Sequence, residues 1–361
     1  MKRTVILLVV IFALAASPAA RGQSNSQNWP APKEGDYTIR NFHFESGESL
    51  PELRLHYRTL GEPHEDASGR IGNAVLILHG TTGSGAGFLV DHFAGVLFVP
   101  GGLLDASKYF VILPDDIGHG HSSKPSDGLH ARFPHYNYHD MVRAEHQLVT
   151  DGLGVNHLRL VMGTSMGAMH TWMWGEMYPD FVQALMPLAC LPIQISGRNR
   201  MMRDMIMHSI TDDPGWKHGE YTSQPRGLDS AIYIMIILVS SPLQWQKQAP
   251  TQQAADAMFE RMVKRYREIE DANDMLYAFD ASRDYNPEPE LEKITAPLTA
   301  VNSADDQVNP PELGIVEKLI KRVKRGKFVL LPITDQTRGH GTHSYPAVWG
   351  QYLTELLERS R

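Results

Sequence analysis

The chain has 361 residues, of which 42% are hydrophobic and 21% are charged, and its formal net charge at neutral pH is −7. This length predicts one large domain with an insertion or two domains, and the composition is typical of a globular protein. The negative charge and the lack of a basic patch argue against a nucleic acid as partner. The single cysteine, Cys190, excludes an intramolecular disulfide and argues against a cysteine-based metal site.

The N-terminal residues have the pattern of a secretory signal peptide. Lys2 and Arg3 precede an apolar run over residues 5–16 that is too short to span a bilayer, and small residues follow it. We therefore predict a signal peptide over residues 1–22, a periplasmic or secreted mature protein, and no integral membrane segment after cleavage. An uncleaved anchor is the alternative. The polar residues 23–34 include two prolines and predict a flexible leader.

The pattern of apolar residues predicts strands that alternate with helices. Polar and apolar side chains alternate over residues 37–44 and 53–59, as in an early hairpin. Residues 74–78 and 109–113 are continuous apolar runs, which indicates strands buried on both faces of a sheet. A helix is predicted over 138–153, and strands over 158–162 and 184–188 enclose a helix that begins at 168. Strands over 298–302 and 328–331 enclose a helix over 312–323. A final helix is predicted over 347–359.

This order predicts an α/β fold with a mainly parallel central sheet and helices on both of its faces. Residues 195–285 break the pattern, because they are rich in Met, Arg, Gln and Trp and contain no convincing strand. We therefore predict an α/β domain over residues 35–361 that is interrupted by a helical cap insertion at about 191–290.

The motif Gly-Thr-Ser-Met-Gly at residues 163–167 follows a predicted buried strand and precedes a predicted helix. This is the context of a G-x-S-x-G nucleophile elbow, which exposes a serine hydroxyl at the end of a strand. Gly163 and Gly167 allow the sharp reversal without a Cβ clash, and the positive end of the helix points at a developing oxyanion. Ser165 is the predicted nucleophile. The alternative is a glycine-rich turn that carries an ordinary serine.

A serine nucleophile needs a general base and a carboxylate that orients the base, and in this order of elements both follow late strands. Asp305 and Asp306 follow one of the last two predicted strands, and His340 and His343 follow the other. We favour Asp306, which lies four residues before the proline that opens the next helix. We favour His340, because its flanking glycines suit a turn that presents a side chain over the elbow. Asp305 and His343 remain the alternatives.

Two backbone N–H groups are predicted to hold the oxyanion. One belongs to Met166, directly after the nucleophile, and the other to Thr81 in the loop after an earlier strand, with Thr82 lining the site. His119 and His121 lie two residues apart in a glycine-rich loop, but no third ligand stands at a metal-binding spacing. We therefore predict no metal and no cofactor, and we expect this loop to shape the floor of the pocket.

Several longer stretches resemble the homoserine O-acetyltransferase family of α/β-hydrolases. NAVLILHGTTGSG resembles the family's strand and oxyanion loop, and the stretch from HDMVRAEHQ through GTSMGAMH to YPDFV resembles its helix and elbow. RNRMMRDMIMHSITDDPGWKHGEY resembles the start of its helical cap, and FDASRDY and DQVNPPE resemble the surroundings of its catalytic aspartate. The resemblance implies an α/β-hydrolase fold with Ser165 as nucleophile, Asp306 as orienting acid and His340 as general base. It is also compatible with a homodimer.

The loops around the pocket depart from the family's transferases. The elbow reads MGTSMGA where the transferases have GGSMGG, and the final histidine stands in GHGTH rather than GHD. The segment after the strand over 109–113 reads DDIGHGHS, as in ordinary α/β-hydrolases. Acetyl-CoA and homoserine are also cytoplasmic metabolites, which an exported enzyme would seldom meet.

We therefore expect an exported, esterase-like serine hydrolase that cleaves a small-molecule acyl ester through an acyl-enzyme. The alternative is an acyltransferase that passes the acyl group to a hydroxyl acceptor. In that case the cap would supply substrate-binding groups, with Arg203 as a candidate partner for an anion; otherwise Arg203 is an arginine on a helix surface. A non-catalytic binding protein on the same scaffold is the third interpretation.

Overall fold

The computed structural model describes residues 28–361, so the predicted signal peptide and residues 23–27 of the predicted leader lie outside the described residues. Within this range the chain forms an eight-stranded sheet. The strands are β1 (Lys33–His43), β2 (Ser49–Leu60), β3 (Ala74–Leu78), β4 (Phe110–Pro114), β5 (Leu160–Thr164), β6 (Leu185–Leu188), β7 (Leu298–Ser303) and β8 (Gly326–Leu331).

The strands lie in the order β1-β2-β4-β3-β5-β6-β7-β8. β2 pairs antiparallel with β1 and with β4, and every later pair from β4–β3 to β7–β8 is parallel. Every residue of β3, β4, β5 and β6 is buried, as expected for strands that are covered on both faces. The mainly parallel α/β sheet predicted from the sequence is confirmed.

Helices pack on both sides of this sheet. In the described range they are α1 (Ala94–Leu97), α2 (Tyr138–Gln147), α3 (Met166–Met177), α4 (Gly197–Thr211), α5 (Arg226–Leu238), α6 (Pro242–Gln248), α7 (Gln252–Ile269), α8 (Ala272–Asp280), α9 (Ile315–Leu319) and α10 (Pro346–Arg359).

Strand β3 shows how the two faces are filled, because successive side chains of a strand point to opposite sides. Leu76 and Leu78 belong to an apolar core that includes side chains of α2, α3 and α9. Val75 and Ile77 belong to a second core that includes side chains of α1 and α10. All four side chains are fully buried, so the sheet separates two apolar layers.

The segment between β6 and β7, residues 189–297, contains helices α4 to α8 and no strand in the structure; we call it the cap segment. Ile206 of α4, Ile232 of α5 and Met275 of α8 are buried in a third apolar core of its own. None of the described helices is by itself long and apolar enough to cross a membrane. Helices α5 and α6 meet the criterion only as a pair, and they are bent by 104° at their junction.

The predicted flexible leader reaches too far into the chain. Trp29 is buried in the core that contains α1 and α10, and Lys33 and Glu34 pair with Thr59 and Arg58 of β2. Polarity alone suggested a leader here, because an edge strand with one exposed face carries the same kind of residues as a loop. Part of the predicted leader is therefore the start of the sheet.

Two predicted helices are shorter in the structure. The helix predicted over 138–153 is regular only in α2, and residues 148–152 form a wider π-helical turn. The helix predicted over 312–323 is divided, since Gly314 adopts a left-handed conformation (φ 61°) before α9 and a 3₁₀ turn follows it. Apolar spacing shows which side of a segment faces the core, but it is insensitive to such changes of helix type.

Candidate active site

The turn at Ser165 joins β5 directly to α3. Ser165 is the one residue between them, and its backbone angles (φ 54°, ψ −110°) lie outside the usual regions for a residue with a side chain. A Cβ at Gly163 would lie 2.1 Å from the carbonyl oxygen of Gly167, and a Cβ at Gly167 would lie 2.1 Å from that of Leu78. The two flanking glycines are therefore required by close backbone contacts, and the strained turn has the geometry of a nucleophile elbow.

The structure brings Ser165, His340 and Asp306 into one chain of hydrogen bonds. Oγ of Ser165 lies 2.8 Å from Nε2 of His340, and Nδ1 of His340 lies 2.9 Å from Oδ2 of Asp306. With a carboxylate at one end, the network assigns the imidazole proton to Nδ1 and leaves Nε2 to accept the serine proton. This arrangement can activate a hydroxyl for attack on a carbonyl carbon.

Asp306 is held as an anion by its surroundings. Its carboxylate accepts the backbone N–H of Val308 at 2.8 Å and the side-chain amide of Asn309 at 3.0 Å. Burial alone would raise the pKa of Asp306, but the neighbouring His340 and these hydrogen bonds outweigh burial and lower it. Asn309 was not predicted from the sequence. Its position three residues after Asp306, in the same loop, is the signal that could have identified it.

The two alternative residues lie close by but have other partners. Asp305 accepts the hydroxyl of Ser303 and, at 2.9 Å, the backbone N–H of Gly339, so it ties the loop after β7 to the loop that carries His340. His343 packs edge-on against His340 with ring centroids 5.2 Å apart. Burial, together with the nearby His340, lowers the pKa of His343 to about 3, so its ring is neutral.

The loop after β3 lies directly against the elbow. A Cβ on Gly80 would be 3.3 Å from Cβ of Ser165, and the carbonyl of His79 accepts the backbone N–H of Gly167 at 2.9 Å. Met166 is the first residue of α3, where a backbone N–H has no partner within the helix. Thr81 follows Gly80 and lines the same cavity as Ser165. Of the two residues predicted to supply the oxyanion donors, Met166 therefore follows Ser165 directly and Thr81 lines the same cavity.

A cavity of about 470 Å³ opens above Ser165 between the sheet and the cap segment. The loop after β3 and the cap segment both contribute to its walls, and its polar lining includes Thr81, Thr82, Ser165, Arg203, Arg265 and His340. Thr82 also contacts Met235 of α5, with 3.9 Å between Oγ1 and Sδ. The predicted substrate-binding residues Thr82 and Arg203 therefore lie in the wall of this cavity, and Arg203 is buried rather than on a helix surface.

The glycine-rich loop over residues 115–122 does not form the floor of this cavity in the structure. Asp115 is buried and accepts hydrogen bonds from Arg58, from the N–H of Gly85 and from the N–H of His121, at 2.8 to 2.9 Å. The carboxylate of Asp115 therefore connects strand β2 with the loops that contain Gly85 and His121. His119 and His121 do not share a candidate metal-binding group among the described residues.

A buried acid–histidine cluster, which we define as Asp116, Glu145 and His170, lies behind the elbow and was not predicted. Their ligand atoms lie within 4.8 Å of one another, a spacing that a metal ion could use. Hydrogen bonds already engage two members, since Glu145 pairs with Nδ1 of His170 at 2.8 Å and accepts the indole N–H of Trp174 at 2.6 Å. Three residues so far apart in the sequence carry no common motif, which is why sequence analysis missed them.

Burial raises the pKa of Asp116 and of Glu145 above their ordinary values, and each carboxyl is close to the other. The folded protein therefore holds protons that the unfolded chain has already released at pH 5 to 8. Under this linkage the free energy of unfolding falls as the pH rises through that range.

We expect Asp116→Asn, which is neutral and of the same shape, to reduce this loss of stability. The measurement is the melting temperature of both proteins between pH 5 and pH 8. Asp256→Asn, which changes an exposed carboxylate on α7 of the cap segment, is the control and should follow the wild type. An equally steep pH dependence in Asp116→Asn would contradict the assignment of a buried protonated acid.

Comparison with known proteins agrees with this fold. The family model of the alpha/beta hydrolase fold matches residues 73–329. The homoserine O-acetyltransferase of Pelobacter propionicus is 31% identical over 352 residues, covering 85% of this chain and 91% of that protein. Two solved structures share the fold. The homoserine O-acetyltransferase from Bacillus anthracis has a TM-score of 0.79 at 21% identity, covering 91% of this chain and 98% of that one. An acetylester hydrolase from Corynebacterium glutamicum has a TM-score of 0.77 at 22% identity, covering 90% and 96%.

By its family match and its 31% identical relative, this chain is an enzyme, a hydrolase or an O-acyltransferase. It belongs to the α/β-hydrolase superfamily and, within it, to the homoserine O-acetyltransferase-like family.

Proposed function

We propose that this enzyme is an exported, esterase-like serine hydrolase that cleaves a small-molecule acyl ester through an acyl-enzyme on Ser165. The catalytic part of this proposal rests on the hydrogen bonds from Oγ of Ser165 to His340 and from His340 to Asp306, which are 2.8 and 2.9 Å long. The cavity above Ser165, about 470 Å³, has room for a small ester.

In the first half-reaction Nε2 of His340 takes the proton of Ser165 while Oγ attacks the ester carbonyl carbon. The N–H groups of Met166 and Thr81 stabilise the negative charge that develops on the carbonyl oxygen. The bond between that carbon and the alcohol oxygen then breaks, and His340 gives its proton to the departing alcohol. Asp306 stabilises the imidazolium that exists between these two transfers.

In the second half-reaction water replaces the alcohol. Nε2 of His340 takes a proton from the water, whose oxygen attacks the acyl carbon. The bond to Oγ of Ser165 then breaks, and the proton returns to the serine. The products are the carboxylic acid and the original enzyme.

The alternative function is an acyltransferase, which shares the first half-reaction and passes the acyl group to a hydroxyl acceptor. The curated relative from Pelobacter propionicus is named for that reaction. Two features favour water as the acceptor here. The sequence departs from the family's transferases in the elbow and in the loop of the final histidine. The N-terminal pattern also suggests export, away from cytoplasmic acyl donors and acceptors.

We expect the mature chain to hydrolyse p-nitrophenyl acetate and Ser165→Ala to lose at least about 10³-fold in kcat, because the nucleophile is removed. Release of p-nitrophenol measures the rate. Homoserine or ethanol added to the wild type separates the two functions: a hydrolase still forms acetate as its main product, whereas a transferase turns over faster and forms the acetylated acceptor. Equal rates for the wild type and Ser165→Ala would contradict a serine mechanism.

The two neighbouring aspartates provide a matched pair for the orienting acid. Asp306→Asn should lower kcat by about 10⁴-fold, because an amide stabilises the wrong tautomer of the imidazole. Asp305→Asn should cost far less, since Asp305 contacts the N–H of Gly339 and not the imidazole. Both variants are compared with the wild type on p-nitrophenyl acetate. A larger loss in Asp305→Asn would show that the acid has been assigned to the wrong residue.

Export is tested on the full chain produced in a Gram-negative bacterium. We expect the mature protein in the periplasmic or culture fraction, with a new N-terminus between residues 20 and 23, determined by N-terminal sequencing. A chain that lacks residues 2–22 is the control and should stay in the cytoplasm. Full-length protein with an intact N-terminus in the cytoplasmic fraction would contradict export.

A further inference from the structure

The cavity above Ser165 has a positively charged lining. Arg203 from α4 and Arg265 from α7 both line it, and no aspartate or glutamate does so among the described residues. The chain as a whole has a formal net charge of −7, so the cavity has the opposite sign from the protein. A cleft with one sign of charge and weakly polar walls concentrates ligands of the other sign.

Arg203 is a buried cation whose hydrogen-bond partners are neutral. Its side chain is only 3% exposed, and Cζ lies 5.4 Å from the ring centroid of Phe279. Nε donates to Oδ1 of Asn199 at 3.0 Å, and Nη1 donates to Oγ of Ser282 at 3.1 Å. The hydroxyl of Tyr138 is a third neutral group that interacts with the guanidinium. The hydrogen bonds of Nε and Nη1 use two of the five N–H donors of the group. They orient the group but leave its charge uncompensated, which is unfavourable in a desolvated position.

Three acidic residues in this region have other partners. Asp284, which lies beside Tyr138, pairs with Nδ1 of His139 at 2.6 Å. Asp204, the next residue in the chain, forms an ion pair with Arg200 at 2.8 Å and is partly exposed. Glu270 approaches the cavity wall from the far side of Thr82, but it lines a separate small cavity together with Lys124. Among residues 28–361, no carboxylate forms an ion pair with Arg203, so this part of the chain supplies a cation in the cavity without a counter-ion.

We propose that the ester substrate carries a carboxylate, which Arg203 binds while Ser165 attacks the ester carbonyl. This inference rests on the proposed function and adds the substrate class. Asn199, Ser282 and Phe279 hold the guanidinium plane, so that its remaining N–H groups can meet a planar carboxylate. Arg265 is exposed and lines the same cavity, where it attracts the anion on entry.

The test uses two pairs of esters in which the members differ only in whether a carboxyl is free or methylated. 4-Acetoxybenzoate and its methyl ester place the charge on the alcohol side, and mono-p-nitrophenyl terephthalate and its methyl ester place it on the acyl side, where the rigid ring keeps the carboxylate from attacking its own ester. For each compound kcat/KM is divided by the rate of spontaneous hydrolysis at the same pH. We expect wild type to prefer the anion in at least one pair, and that pair identifies the side that carries the charge.

Substitutions test whether Arg203 causes the preference for anionic esters. Arg203→Gln should reduce the ratio of anionic to neutral kcat/KM by about 10- to 100-fold, the range expected for a hydrogen-bonded charge pair. Arg203→Lys keeps the charge and should restore part of that ratio. Arg200→Gln lies on the same helix, does not line the cavity and should leave the ratio at the wild-type value. Circular dichroism of each variant shows whether it is folded.

A measurement on the wild type covers the case in which Arg203→Gln does not fold. Benzoate should inhibit p-nitrophenyl acetate hydrolysis more strongly than benzamide, which has the same shape without the charge, and added salt should weaken only benzoate. The proposal is overturned if neutral esters are equally good or better in both pairs and benzamide inhibits as well as benzoate. Turnover that depends on Ser165 but shows no charge preference would remove this inference alone. Turnover unaffected by Ser165→Ala would instead remove the proposed function.

Discussion

The close backbone contact between the end of β3 and the first turn of α3 is the constraint on which the site depends. Gly167 lies so near the carbonyl of Leu78 that a Cβ would come within 2.1 Å of it, and its N–H donates to the carbonyl of His79. One contact therefore places three components together: the strained Ser165, the N-terminus of α3 and the loop that contains Thr81. A larger residue at position 167 would separate the serine from the loop that is proposed to hold the oxyanion.

The sheet and the cap segment contribute different properties to the cavity. The serine, acid and histidine all lie in segments that follow the C-terminal ends of parallel strands β5, β7 and β8. The cap segment supplies the two arginines and apolar side chains such as Met235 and Phe279. The three hydrogen-bonded residues lie outside the cap segment, but the two parts are in contact, since Gln244 of α6 donates to the carbonyl oxygens of Asp335 and Thr337 in the loop that leads to His340. This division allows hydrolases and transferases to share one fold.

Two buried aspartates show how surroundings decide charge. Asp306 is fully buried, yet the neighbouring His340 and the backbone and side-chain donors lower its pKa. Asp116 is equally buried, but it lies beside Glu145 and its carboxyl oxygens have no donor of normal geometry, so burial dominates and raises its pKa. The lowered pKa of Asp306 favours the anion that can orient an imidazole, and the raised pKa of Asp116 favours the neutral acid behind the elbow. The residue type is the same, and the number of nearby donors makes the difference.

Local patterns in the sequence determined the class of fold, the strand–turn–helix context of Ser165 and the two short loops that contain an acid and a histidine. Those features depend on neighbours along the chain, such as apolar periodicity and the glycines on either side of the serine. Only the tertiary structure decided between Asp305 and Asp306 as the partner of His340, since adjacent residues in a loop point in different directions. It also brought Asp116, Glu145 and His170 together and left Arg203 buried without an ion-pair partner in the part of the chain that the structure describes. These features depend on contacts between segments that are distant in the chain, and no periodicity or spacing in the sequence encodes such contacts.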